Sequence, residues 1–201
     1  MLVGGPCVAQ GYYNDPENPD TELTLKNTTD FSVDPVDGTR YFHTGDIGQM
    51  TKAGMLQLID RKKDLIKLQM GEYVALSKVE NAMKLCSFVE NALCYALPSK
   101  SNVVALIVPN EAALRKCAAA EAAGAGTPLA ALCANDAVVK EVLAAVRATA
   151  KPKLAAFEVP VRIALLPAPW TPDNDMVTAA MKLKRQNIVA ANKATLERIY
   201  A

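Results

Sequence analysis

Four short stretches of this chain carry side chains able to do chemistry. In His43-Thr44-Gly45-Asp46 a glycine stands beside a carboxylate after a Tyr-Phe pair. That order suits a tight turn presenting Asp46 outward, where two oxygens can accept hydrogen bonds from a ribose diol. Read alone, such an aspartate is more often a surface-turn residue. The run Asp60-Arg61-Lys62-Lys63-Asp64-Leu65-Ile66-Lys67 reads as a solvated, charged connector leading out of an apolar strand. Directly after it, Leu68-Gln69-Met70-Gly71-Glu72-Tyr73 sets Gly71 in a loop where another molecule can approach the backbone closely. Met181-Lys182-Leu183-Lys184-Arg185 is a basic pentad at the start of a helix, and by itself it reads as a solvated face. The single histidine, His43, has no nearby cysteine or serine partner for nucleophilic chemistry and is expected to be a packing residue.

The elements that must position these residues divide into two textures. Residues 1–60 are rich in Gly, Pro, Asn and Asp between short apolar runs, which predicts strands and turns. Ile47–Met50 and Met55–Ile59 flank Thr51-Lys52-Ala53-Gly54, a hairpin loop with glycine where positive φ is needed. Gly11–Asp37 reads as a long polar loop. Beyond Asp60, helices alternate with apolar strands. Ser77-Lys78-Val79-Glu80 has the capping-box pattern and predicts a helix starting at Ser77. Strands are expected at Leu93–Leu97, Val103–Val108 and Val159–Leu166, the second a continuous apolar run of the kind a sheet covered on both faces produces. Helices are expected at Glu111–Ala123, Asp136–Ala150 and Leu183–Tyr200, the second with Val138, Val139, Val142, Leu143 and Val146 at helical spacing. The alanine bias of Ala118–Ala134 reads as compositional only.

Bulk properties exclude several classes. A chain of 201 residues, 51% of them apolar, can bury a sizeable core as one or two domains. A formal net charge of +1 lacks the cationic excess that nucleic-acid binding requires. No run reaches the ~18–20 apolar residues of a membrane span, and the N-terminus has no signal-peptide layout. Cys7, Cys86, Cys94, Cys117 and Cys133 have no metal-ligand spacing, so no metal site is expected; reduced, mostly buried thiols fit an intracellular protein.

The segment Tyr41–Asn81, together with Met181–Arg185, resembles the late motifs of long-chain fatty acyl-CoA synthetases, within the adenylate-forming superfamily. The T-G-D aspartate, the D-R-K-K-D run, the L-Q-x-G-E-Y loop and the M-K-L-K-R pentad occur in the family's order, and Gly4-Gly5-Pro6 to Gly11-Tyr12-Tyr13 resembles a structural segment of its large domain. The resemblance implies that Asp46 binds the ribose hydroxyls and Arg61 the nucleotide, with Lys63 as the pivot of a moving domain. It further implies that Gly71 and Glu72 line the coenzyme A tunnel and that Lys182 is the catalytic lysine of adenylation.

The fold so implied is α+β. Residues 1–59 would be the β-rich end of a large AMP-binding domain, 60–64 a hinge, and 65–201 a mobile lid with a mixed sheet of about three to five strands covered by helices. The activity implied is an AMP-forming ligase that joins a fatty acid to coenzyme A at the expense of ATP. Its Mg2+ ligand, phosphate loop and acyl pocket belong to an N-terminal domain that this sequence lacks, so the piece alone is expected to be inactive. Two alternatives stand beside it: a superfamily member acting on another carboxylic acid, and a non-catalytic module that binds an anion or a protein through Arg61–Lys67 and Lys182–Arg185.

Overall fold

A computed structural model describes residues 1–201, and the chain divides into two units, Met1–Lys63 and Asp64–Ala201. The class is mixed α+β.

In the first unit, β1 (Leu2–Gly4), β2 (Phe31–Val33) and β3 (Arg40–His43) form an antiparallel sheet in the order β1-β3-β2. A second ladder pairs β4 (Asp46–Met50) with β5 (Leu56–Arg61). The hairpin expected around Thr51–Gly54 is present, with Gly54 at φ +76° closing a turn in which its N–H donates to the Thr51 carbonyl at 2.9 Å. The polar stretch expected as one long loop contains a helix, α1 (Thr21–Thr29), and β2. No apolar stripe announces α1, and none of its residues is buried. Its start is made by Asp20, whose carboxylate accepts from the N–H groups of Glu22 and Leu23, and a Glu22–Lys26 ion pair supports its surface.

The second unit begins with a short antiparallel ladder of β6 (Leu65–Lys67) and β7 (Tyr73–Ala75), followed at once by α2 (Leu76–Met83). Its centre is a mixed three-stranded sheet, β10-β9-β8. Within it β8 (Val89–Ala96) runs antiparallel to β9 (Val103–Pro109), which runs parallel to β10 (Arg162–Leu165). Successive residues of β9 serve opposite faces. Val103, Ala105 and Ile107 enter one apolar cluster, and Val104, Leu106 and Val108 enter another. Both faces are covered, which is why the strand is apolar throughout rather than alternating.

The first cluster is covered by α2, α3 (Glu111–Leu114), α4 (Ala118–Ala123), α5 (Leu129–Ala134) and α6 (Asp136–Ala150). On α6, Val138, Val142, Val146 and Ala150 recur every four residues and are fully buried, and the Asn135 side chain caps the start. The alanine-rich stretch is therefore more than compositional: Ala120, Leu132 and Cys133 are part of this core. The second cluster is covered by α7 (Arg185–Ala191) and α8 (Lys193–Tyr200), with Trp170 beneath them.

Two expected helices are divided. Glu111–Ala123 breaks between Leu114 and Ala118. Leu183–Tyr200 starts only at Arg185 and breaks at Asn192, whose side chain donates to the Ile188 carbonyl at 2.9 Å. Four of the five cysteines are buried, Cys7 is exposed, and all are free thiols.

Candidate functional site

In the first unit the β4–β5 ladder brings Asp46 opposite Arg61, fifteen residues away in sequence. Their side chains approach to 3.7 Å between Arg61 Nε and Asp46 Oδ1. The turn before β4 is built by Gly45 at φ +71°, by the Thr44 hydroxyl accepting from the Asp46 N–H at 3.0 Å, and by the Lys62 N–H donating to the Gly45 carbonyl at 2.7 Å. The pair is partly exposed, 30% for Asp46 and 59% for Arg61, so it adds little to stability. What it provides is a carboxylate acceptor beside a permanent planar cation, a combination that can meet a diol and a neighbouring phosphate. Lys63 lies in a 3-10 turn, Lys62–Asp64, and the division of the chain falls directly after it.

In the second unit the loop between β6 and β7 is a tight turn. The Leu68 N–H donates to the Glu72 carbonyl at 2.8 Å, and the Gly71 N–H donates to the Leu68 carbonyl at 3.0 Å. Gly71 sits at φ +97° with open space where a side chain would stand, so the glycine meets a backbone demand as well as leaving room for a visitor. One Glu72 carboxylate oxygen, Oε2, is buried without a hydrogen-bond partner.

Lys182 stands on a hairpin turn whose base is the bridge between Val177 and Leu183. The Thr178 N–H donates to the Lys182 carbonyl at 2.8 Å, and Met181 takes φ +58° at the tip. Within the basic pentad the three cations have different fates. Lys184 Nζ is paired with Asp175, and Arg185 is enclosed by carboxylates, whereas the exposed Lys182 ammonium makes no ion pair or hydrogen bond.

Arg185, read in the sequence only as one cation of a basic pentad, is the most enclosed of the three. Its guanidinium forks onto Glu80, with Nη1 at 2.6 Å from Oε1 and Nη2 at 3.1 Å from Oε2, while Nε donates to Asp64 Oδ1 at 3.1 Å and Nη1 to the Cys94 carbonyl at 3.2 Å. Burial pushes the Glu80 carboxyl up from its ordinary range, and Arg185 opposes that shift without cancelling it. For Arg185 burial acts downward, and the two carboxylates outweigh it and hold the guanidinium charged. The expected capping box is thereby corrected. The helix starts at Leu76, one residue before Ser77, its N-cap Ala75 has no side-chain cap, and Glu80 faces inward to Arg185 and the Cys94 N–H instead of back to the helix start. His43 is corrected too: it lies exposed on β3, its Nε2 hydrogen-bonded to the Ser32 hydroxyl at 2.8 Å, and does not pack. No group of three or more His, Cys, Asp or Glu side chains is arranged to hold a metal ion.

The architecture and motif placement define a class. The adenylation domain of the carboxylic acid reductase from Segniliparus rugosus, solved in complex with AMP and a co-purified carboxylic acid, superimposes with a TM-score of 0.73 at 25% identity, over 99% of this chain and 28% of that one. The corresponding Mycobacterium chelonae domain gives 0.72 at 26% identity, over 94% and 26%. This is the fold of the C-terminal region of adenylate-forming enzymes.

Within that class the chain matches long-chain acyl-CoA synthetases along its whole length. Long chain acyl-CoA synthetase 8 of Arabidopsis thaliana is 44% identical over the whole chain, and Long-chain-fatty-acid--CoA ligase 1 of Schizosaccharomyces pombe is 37% identical, again over all of it. The chain spans only 27% and 28% of the length of these two relatives. No protein-family model matches it.

Proposed function

We propose that this chain is the C-terminal portion of an ATP-dependent, AMP-forming long-chain fatty acid–CoA ligase. In this reading residues 1–59 end the large AMP-binding domain, 60–64 form the hinge and 65–201 are the lid. Asp46 receives the ribose hydroxyls, Arg61 contacts the nucleotide, Gly71 and Glu72 border the path of the coenzyme A thiol, and Lys63 is the pivot. The reading makes the fatty acid, ATP or AMP, coenzyme A and the rest of the large domain the partners. It also gives the magnesium ion ligands outside this chain.

In the first half-reaction a carboxylate oxygen of the fatty acid bonds to the α-phosphorus of ATP, and the bond to pyrophosphate breaks. The Lys182 ammonium offsets the charge gathering on the phosphoryl oxygens. In the second, the lid turns about Lys63, Lys182 withdraws, and the coenzyme A thiol, giving up its proton to water, attacks the acyl carbon as the bond to the phosphate oxygen breaks and AMP leaves. No helix is long and apolar enough to cross a membrane.

The observation that carries the reading is the match to long-chain acyl-CoA synthetases along the whole chain, with Lys182 exposed on an ordered turn at the position of the family's lysine. In the full-length protein, Lys182→Ala should lower fatty-acid-dependent acyl-adenylate formation ~10²-fold or more. Conversion of supplied acyl-adenylate to the thioester should change little. Equal loss in both half-reactions refutes the role given to Lys182.

A further inference from the structure

Arg185 joins parts of the second unit that have no local reason to meet. Its partners Glu80 and Asp64 lie 105 and 121 residues away. The side chain is 23% exposed, those of Glu80 and Asp64 only 8% and 16%. Four segments therefore converge on one guanidinium: the first residue after Lys63, α2, β8 through Cys94, and the start of α7. The planar fork fixes the direction of each donor, so the cluster has one geometry, unlike the adaptable ammonium of a lysine.

Two consequences follow for motion. Upstream, the Asp64 carboxylate is held to the body of the unit, so torsional freedom in the connector ends at Lys63; a rotation at Asp64 would break a charge-assisted bond with little water to replace it. Downstream, Arg185 follows the Lys182 turn by three residues. The backbone between them is tied by the Lys184 N–H donating to the Met176 carbonyl at 2.9 Å and by the Val177–Leu183 bridge.

We propose that Arg185, with Asp64 and Glu80, is a positioning group that joins the end of the connector rigidly to the base of the Lys182 turn, so that rotation beginning at Lys63 reaches Lys182 without slack. This rests on the proposed function. Arg185 acts through Lys182 and touches no reacting atom.

Removing Arg185 would leave the Glu80 carboxylate buried and unpaired and threaten the fold, so the test goes through Asp64. In the full-length protein, Asp64→Ala keeps the Arg185–Glu80 fork. It should lower kcat of fatty-acid-dependent ATP–pyrophosphate exchange roughly tenfold, the scale of a small misplacement of a catalytic group, with KM for ATP within about twofold. Asp64→Glu should recover most of the loss. In a Lys182→Ala background Asp64→Ala should cost less than about twofold, because the group it positions is gone. A kcat unchanged by Asp64→Ala, or an equal loss in both backgrounds, overturns this inference and leaves the proposed function standing. Absence of exchange in the unmodified protein overturns the proposed function itself.

Discussion

The two units are built by different means. No residue of 1–63 is buried, while Asp64–Ala201 wraps two apolar clusters around both faces of one sheet. Taken by itself, the first unit leaves Val36 at 93%, Met50 and Met55 at 65% and Leu58 at 61% exposure, apolar surface that the rest of the large domain would cover in the proposed reading. Within the unit, side chains that satisfy nearby backbone groups specify the local conformation. Asp34 accepts from the Val36 N–H, Asp37 from the Thr39 N–H, and Thr51 from the Met55 N–H. The residues proposed to act are correspondingly held in two ways. Asp46 and Arg61 are placed by a turn and a ladder, whereas Lys182 stands on a turn that Arg185, three residues on, is proposed to anchor to a packed core.

The largest test of this contrast is apolar truncation. Ile107→Ala, at a fully buried position of β9, should destabilise the second unit by about 3 kcal/mol, read from the denaturant midpoint of Trp170 fluorescence, the single tryptophan being buried there. Leu58→Ala, at a position of β5 exposed in this chain by itself, should change the stability of the first unit by less than about 0.5 kcal/mol, read from amide exchange along the β4–β5 ladder. If Leu58→Ala cost as much as Ile107→Ala, the contrast would fail.

A smaller effect should reverse the order within the first unit. Gly54 has φ +76°, and an alanine there meets the left-handed penalty of about 1–2 kcal/mol although nothing crowds its Cβ. Gly54→Ala should therefore speed amide exchange at Thr51, whose N–H donates to the Met55 carbonyl, more than Leu58→Ala does. The opposite ranking would show side-chain contacts outweighing turn chemistry.

The gentlest probe is alkaline pH. Burial pushes the Tyr200 hydroxyl from 10.0 to about 12, where it donates to the Asn102 carbonyl at 2.8 Å. A group with a raised folded value contributes stability that is complete below its unfolded value and is lost as pH rises through the folded one. The Trp170 transition should weaken between about pH 10 and 12, and Tyr200→Phe should flatten that decline. An undiminished slope in the variant would remove Tyr200 from the account.

Legibility in the sequence follows the range of the interactions. The bounds expected for α6, Asp136–Ala150, agree with the structure because a valine every four residues declares a buried face locally. The turn at Gly54 was legible for the same reason, since its demand is met within four residues. Helix α1 was not, because it buries nothing and depends on one capping aspartate. Glu80 was misread because a capping box and an inward carboxylate look alike until the partner, Arg185, is brought from 105 residues away.

By itself the sequence determined the residue types, the resemblance their motifs carry, and the helices and turns whose causes lie within a few residues. Pairing was decided by tertiary structure. Beyond the turn, β4 and β5 pair Gly48 with Leu58, a register that, continued unshifted, would set Asp46 against Asp60. A bulge between Ile47 and Gly48 moves the ladder by one residue, and Asp46 meets Arg61 instead. The same holds for the basic pentad. Three cations alike in sequence have different fates: Lys182 is free, Lys184 meets Asp175 nine residues before it at the surface, and Arg185 is engaged by Glu80 and Asp64, 105 and 121 residues away, which only the packed core brings near.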